Sequence, residues 1–289
     1  MKRKGIILAG GTASRLFPIT IPISKQLLPV FDKPMIYYPL STLILAGITD
    51  IQVITTQNSL NEFKKLLGDG SQFGINLNYA VQQEPKGIAE ALIISKRFLC
   101  ESSSAVVLGD NIFDGFSMKS TLGNASKYKG STIFAKKVEH PEHYGVVSFS
   151  DDSKPIDIVE KPKKPKSKYA VTGLYFYDNQ ASEYAASLKP SDRGEYEITD
   201  LNRLYLDNDD LNLEIFEDNL LWFDAGTPRN LLEASRSISH IQDTENRLVG
   251  SPHYASLIMG NITRESLDIY FANFAQSEYV NHIRSLIIQ

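Results

Sequence analysis

The chain has 289 residues, 42% hydrophobic and 22% charged, with a formal net charge of −4, the make-up of an ordinary globular protein long enough for one large domain or two smaller ones. Its slightly acidic balance excludes a surface-wide basic field for a nucleic-acid backbone or an anionic membrane, so neither is expected as a partner and any phosphate must be held locally. A single cysteine, Cys100, excludes an intrachain disulfide; at the end of the apolar run RFLC it is expected as a packed thiol in a reducing cytoplasm.

The chain opens on MKRKGIILAGG, basic like a secretory leader, but its apolar run lasts only about four residues before glycines end it, so it predicts a first strand and neither an export signal nor a membrane span. Next come a helix in MIYYPLSTLILAGI (35–48), a strand in IQVITT (51–56), a helix in NSLNEFKKLLGDG (58–70), a strand in LNYAVQ (77–82), a helix in KGIAEALIISKRFL (86–99) and a strand in SAVVLGD (104–110). Strand and helix in alternation predict a parallel sheet covered on both faces. From about residue 130 the pattern turns to strands with polar turns: STIFAKKV, YGVVSFS, IDIVEK and YAVTGLYFYD. Two helical stretches follow, then LNLEIFEDNLLWFDAGT, which predicts two strands, and a helical tail with Thr227 as N-cap and Pro228 at the first helical position. We expect a core over residues 1–240 and a helical C-terminal segment over 241–289 packed on it.

In an open α/β sheet, ligands collect outside the C-terminal ends of the strands. There the first strand delivers Gly10, Gly11, Ala13, Ser14 and Arg15. Glycines let backbone N–H groups turn toward an anion, and an arginine adds a planar fork of donors that matches phosphate, so the loop reads as a polyphosphate cradle. The spacing is not the dinucleotide fingerprint, and the loop lacks the Gly-Lys-Ser/Thr of a Walker motif. The histidines, His140, His143, His240, His253 and His282, show no metal-ligand spacing and receive no role.

Together with ISKQLLPVFDKPMIYYPLSTLILAGI (23–48), the blocks LLGDGSQFG (66–74), VVLGDNIF (106–113), YGVV (144–147), EKPKKPKSKYAVTGLYFYDN (160–179), RGEYEITDLNRLY (193–205) and WFDAGT (222–227) make the chain similar to the sugar-nucleotide pyrophosphorylase family, from Gly5 to about Ser235. The resemblance implies a Rossmann-like nucleotidyltransferase core with a mixed, mostly parallel sheet and a helical C-terminal appendix. It also implies the activity: a glucose 1-phosphate oxygen attacks the α-phosphorus of dTTP in line and pyrophosphate leaves. Such a displacement needs positioning and charge neutralisation more than a protein nucleophile.

By the same resemblance Asp110 and Asp224 hold Mg2+, and Arg15, Lys25 and Lys161 are catalytic. Leu8, Gly10, Gly11, Arg15, Gln82, Gly87 and Asp110 bind the nucleotide, with Gln82 and Gly87 reading the thymine edge. Tyr144, Gly145, Glu160, Lys161, Val171 and Arg193 bind the sugar phosphate. A homotetramer is implied as well. Uracil offers the same imide face, so a uridylyltransferase is the alternative within the enzyme class. The usual loop of the family reads Gly-Gly-x-Gly-Thr-Arg-Leu, whereas Ala13 and Ser14 stand here; alanine enters positive φ at a cost of roughly 1 kcal/mol or more. That departure leaves a catalytically weak nucleotide-binding regulator as a third possibility. Lys86 stands where an acid is common. The family's second nucleotide site, for end-product inhibition, uses the segments here read as Asp114 to Ser117 and Ser251 to Tyr254, with Leu257 and Ile258 where an arginine is usual. We therefore expect weak inhibition there.

Overall fold

The computed structural model describes residues 2–11 and 13–288. In chain order the strands are β1 (Lys4–Ala9), β2 (Pro29–Val30), β3 (Lys33–Pro34), β4 (Asp50–Thr55), β5 (Asn76–Val81), β6 (Ser104–Leu108), β7 (Asn111–Asp114), β8 (Ser131–Lys137), β9 (Gly145–Phe149), β10 (Pro155–Glu160), β11 (Tyr169–Tyr177), β12 (Leu211–Ile215) and β13 (Leu221–Asp224). Helices are α1 (Tyr37–Leu45), α2 (Leu60–Leu67), α3 (Glu90–Ile94), α4 (Lys96–Leu99), α5 (Met118–Ala125), α6 (Ala181–Ser187), α7 (Ile198–Asp207), α8 (Pro228–Glu245), α9 (Pro252–Ile258), α10 (Arg264–Phe271) and α11 (Glu278–Ile288).

One sheet runs in the order β10-β9-β11-β6-β1-β4-β5, with β8 branching from β11 and β12 pairing with β8. β1 pairs in parallel with both β4 and β6, and β4 with β5. β11 turns the sheet mixed by pairing antiparallel with β6. Successive β1 side chains point to opposite faces: Ile7 joins one core cluster with Leu40 and Phe63, Ile6 the other with Leu92 and Leu201. Both isoleucines are fully buried, which is why a continuous apolar run rather than an alternating one codes this strand. The sheet, its mixed character and the C-terminal helices agree with the sequence expectation.

Two expectations change. The stretch 86–99 is not one helix but α3 and α4 divided at Ser95, and residues 86–89 precede α3 as a loop. Gly87 at φ +99° cannot continue a helix, and the backbone of Tyr196 occupies the space beside it. Cys100 is exposed rather than packed. It takes the left-handed C-cap of α4, at φ 47°, which swings the chain outward.

Candidate active site

The parallel strands β1, β4, β5 and β6 end on one edge of the sheet, and there the loops converge. Gly10 follows β1, and a Cβ built on it would lie 2.3 Å from Gln82 Oε1, so only glycine lets the amide of Gln82 rest on the backbone. Gly11 has φ +108°, and Ala13 is in the left-handed region at φ 47°, ψ 31°. The sequence therefore put alanine where the backbone favours glycine. The turn Ser14–Leu16 then fastens the loop by burying Leu16 completely. Arg15, exposed, lies over Gly226 beside Asp224: a Cβ at Gly226 would fall 2.7 Å from Arg15 Nη2 and 2.9 Å from Asp224 Oδ1.

Asp110 follows the end of β6, and Asp224 reaches it because β13 pairs antiparallel with β7, setting Asp224 opposite Asn111. The backbone closes the arrangement, Ala225 N–H donating to the Asp110 carbonyl at 3.0 Å. Lys25, held in the short turn Lys25–Leu27, forms an ion pair with the Asp110 carboxylate. Burial alone would raise the Asp110 carboxyl, but the Lys25 ammonium and the Asn111 amide outweigh it and hold it below the usual carboxylate range. Asp224 goes the other way: burial first, then the neighbouring Asp110 charge, push it up to about 6 against the partial relief of Lys25 and Arg15.

Two cavities flank this ion pair. One, of about 490 Å3, is lined by Gly11, Ala13, Ser24, Lys25, Thr56 and Gln82 among others. The second, of about 520 Å3, is lined by Arg15, Asp110, Tyr144, Gly145, Glu160, Lys161, Val171, Arg193 and Asp224, together with Asn111, Thr199 and Trp222. Lys25 belongs to the first wall and Asp110 to the second, so the pair stands at the junction. In the second cavity Glu160 is an acceptor set between cations, 3.3 Å from Lys161 Nζ and 3.7 Å from Arg193 Nη2. Thr199 Oγ1 donates to Glu160 Oε2 at 2.6 Å, fixing the carboxylate. Lys161 has φ 41°, a strained backbone position for a lysine. Tyr144 packs its ring against Trp222 at 5.1 Å.

The residues expected to meet a sugar phosphate thus share one cavity, and Gly11, Lys25 and Gln82 share the other. Leu8 lines neither; it is inside β1, its carbonyl accepting from Gly109 N–H at 2.9 Å. Gly87 faces the Tyr196 backbone, where a Cβ would come within 2.4 Å of the Tyr196 carbonyl oxygen. Lys86 pairs with Glu84 at the surface.

A family model described as nucleotidyl transferase matches residues 4–240. The chain belongs to this family. Across 99% of its length it is 51% identical to a glucose-1-phosphate thymidylyltransferase of Xanthomonas campestris pv. campestris, covering 97% of that relative. It is 48% identical to a protein of the same name from Neisseria meningitidis, over 98% of this chain and 99% of that one. A Bacillus anthracis structure described as a glucose-1-phosphate thymidylyltransferase with sucrose bound superposes with a TM-score of 0.75 at 42% identity, over 81% of this chain and 94% of that chain. A UDP-glucose pyrophosphorylase complexed with UDP-glucose superposes at 0.73 with 25% identity, over 83% and 99%.

Within the transferase fold, the sequence reading passed over Asn111. It is buried, and its Oδ1 accepts from Gly173 N–H at 3.0 Å and from the Trp222 indole at 2.7 Å while its Nδ2 donates to Asp110 Oδ1 at 3.1 Å. One side chain thereby ties the carboxylate to two walls of the second cavity. Its only sequence signal is that it follows Asp110 at a strand end. Glu197 was missed too: it takes Arg193 Nη2 at 2.9 Å on each carboxylate oxygen.

Proposed function

We propose that this nucleotidyltransferase transfers a thymidylyl group from dTTP to glucose 1-phosphate, releasing dTDP-glucose and pyrophosphate. The observation that carries the assignment of roles is the Lys25–Asp110 pair standing between two cavities, with Asp224 across from it. The nucleotide occupies the cavity walled by Gly11 and Gln82, and the sugar phosphate the one walled by Glu160, Lys161 and Arg193. The α-phosphorus then lies at the junction.

Asp110 and Asp224 offer hard oxygen donors, and the raised carboxyl of Asp224 marks negative charge in want of a cation. That suits a divalent ion such as Mg2+. Two carboxylates leave the rest of the shell of such an ion to phosphate oxygens and waters. When bound, such an ion supplies neutralisation of the triphosphate oxygens. The chain's own groups do the rest. Lys25 neutralises charge as pyrophosphate departs, Arg15 meets the triphosphate from the rim, and Lys161 with Arg193 holds the sugar phosphate in line for attack. Glu160, fixed by Thr199, accepts from a sugar hydroxyl; Tyr144, Gly145 and Val171 give that pocket its shape. No covalent intermediate is needed.

The likeness to a UDP-glucose pyrophosphorylase supports a second reading, uridylyl transfer, since uracil and thymine present the same imide edge. Pyrophosphate release is measured with glucose 1-phosphate, Mg2+ and either dTTP or UTP. We expect dTTP to be used at the higher kcat/KM with UTP partly tolerated; preference for UTP would replace the assignment, and release with neither would leave a nucleotide-binding regulator. We also place the enzyme in the cytoplasm as a homotetramer. Among the described residues no helix is long and apolar enough to cross a membrane.

At the family's second nucleotide site we expect weak inhibition, though one premise changes. An arginine is present: Arg247 donates to both Asp114 carboxylate oxygens, at 2.7 and 2.6 Å, and to Glu245, and it stacks on the exposed Phe116. Its fork is spent on acids of its own chain, so a diphosphate has to displace them.

A further inference from the structure

Glu90 opens α3 and is not among the described residues that line either cavity, yet its carboxylate reaches the wall where the base would lie. Gln82 Nε2 donates to Glu90 Oε2 at 2.6 Å, and the same oxygen accepts from Lys86 N–H at 3.2 Å. A carboxylate oxygen only accepts, so the Gln82 amide has one permitted orientation: NH2 toward Glu90, carbonyl away. The carbonyl oxygen then rests on Gly10, at the 2.3 Å that excludes a Cβ there. Gln82 is itself buried and lines the nucleotide cavity. The acid of α3 sets the orientation of the amide, and the glycine after β1 leaves the space in which its other end lies.

We propose that Glu90 is a positioning residue for base selection, acting through Gln82. The proposal rests on the reading that Gln82 faces the pyrimidine. A pinned Gln82 offers an acceptor to the N3–H of thymine or uracil, and its second amide hydrogen is available to a flanking carbonyl. Cytosine reverses this pattern, bringing an N3 lone pair against the Gln82 oxygen. Accommodating cytosine requires the amide to rotate, and rotation would set its oxygen against the Glu90 carboxylate and its NH2 against Gly10. Thymine and uracil are not separated by this device; imide bases are separated from cytosine.

The test compares unsubstituted protein, Glu90→Ala and Glu90→Gln, each checked for unchanged thermal unfolding, in turnover with glucose 1-phosphate and in equilibrium binding of dTTP and dCTP. In Glu90→Ala the dTTP to dCTP preference narrows about tenfold or more, through weaker dTTP and equal or stronger dCTP. Glu90→Gln, whose amide oxygen still accepts from Gln82, restores the preference to within about threefold of the unsubstituted protein. A merely structural acid at the start of α3 would weaken both nucleotides together. That result, or a preference unmoved by Glu90→Ala, overturns the inference. If the unsubstituted protein binds dTTP but forms no dTDP-glucose, the proposed function fails separately, and the binding preferences still decide the role of Glu90.

Discussion

Asp224 holds its proton up to about pH 6, above the ordinary 3.8 of an aspartate, through burial and the charge of Asp110. A carboxyl with a raised folded-state pKa contributes stability that is complete below the unfolded value and is lost as pH rises through the folded one. Without metal, the site should therefore weaken the fold as pH passes from about 4 to about 6, and a divalent cation should restore most of that loss above it. We expect Mg2+ to raise Tm more at about pH 8 than at about pH 5, and Asp224→Asn to lose that response together with at least about a hundredfold in turnover. An undiminished Mg2+ response in the variant would remove Asp224 from the metal site. Ala13 offers a second test. Its left-handed backbone costs about 1 kcal/mol that glycine avoids, partly offset by the looser unfolded chain. Ala13→Gly should leave Tm equal or slightly raised and the KM for dTTP equal or lower; a large rise in KM would mean the loop needs its alanine. The glycine loop was legible from its place at the end of β1, and Lys25, Asp110 and Asp224, which the structure brings together, were picked out because each lies in a short contiguous block of the family resemblance. Asn111, Thr199 and Glu90 were not, because each acts by holding another side chain: Asn111 meets Trp222 across 111 positions and Thr199 meets Glu160 across 39.

The turn from β13 into α8 does two jobs within a few residues. Thr227 caps α8 by accepting from Asn230 N–H at 3.2 Å, and the Asn230 side chain returns a hydrogen bond to the Asp224 carbonyl at 2.9 Å. The helix start thus steadies the strand end that bears the carboxylate, and Thr227 with Pro228 was readable from residue type alone. Between them Gly226 leaves no room for a methyl group beside Arg15 and Asp224, both of which meet it through side-chain tips. Tips give way where backbone does not. Gly226→Ala should therefore fold with little change in Tm and lose about tenfold in kcat/KM as Arg15 and Asp224 are displaced; full activity would mean that neither group needs its present position. Gly87→Ala meets the Tyr196 backbone instead and should lose stability outright. The break of 86–99 into loop, α3 and α4 was not readable, since the apolar spacing continues through it and the backbone of Tyr196, more than a hundred positions away, hydrogen-bonds Lys86 and Ala89 just before the helix, across the positive-φ Gly87.

At the scale of the whole molecule, His253 shows how the C-terminal helices join the core. It is almost wholly buried among Tyr37, Phe73, Tyr270, Phe271 and Tyr279, with Nδ1 2.9 Å from the Tyr279 hydroxyl. Burial pulls its pKa down to about 3 from the ordinary 6.5. A base with a depressed folded-state value contributes stability that is complete above the unfolded pKa and lost as pH falls toward the folded one. Acid should therefore loosen the attachment of α9, α10 and α11, and His253→Phe should show a shallower fall in Tm between about pH 7 and about pH 4.5. Parallel falls in both proteins would place the acid sensitivity elsewhere. No task for this histidine was readable from residue type and spacing, because its neighbours come from four separate segments. The pairing of β13 with β7 carries one more consequence, in time rather than in space. A chain made from its N-terminus has already acquired its glycine loop, Lys25, Gln82 and Asp110 long before residue 224 is added, and β7 has no β13 to pair with until then. On the proposed role of Asp224, a chain ending before β13 carries every lining residue of the two cavities except Trp222 and Asp224 and should still show no turnover, so activity would arise only late in synthesis.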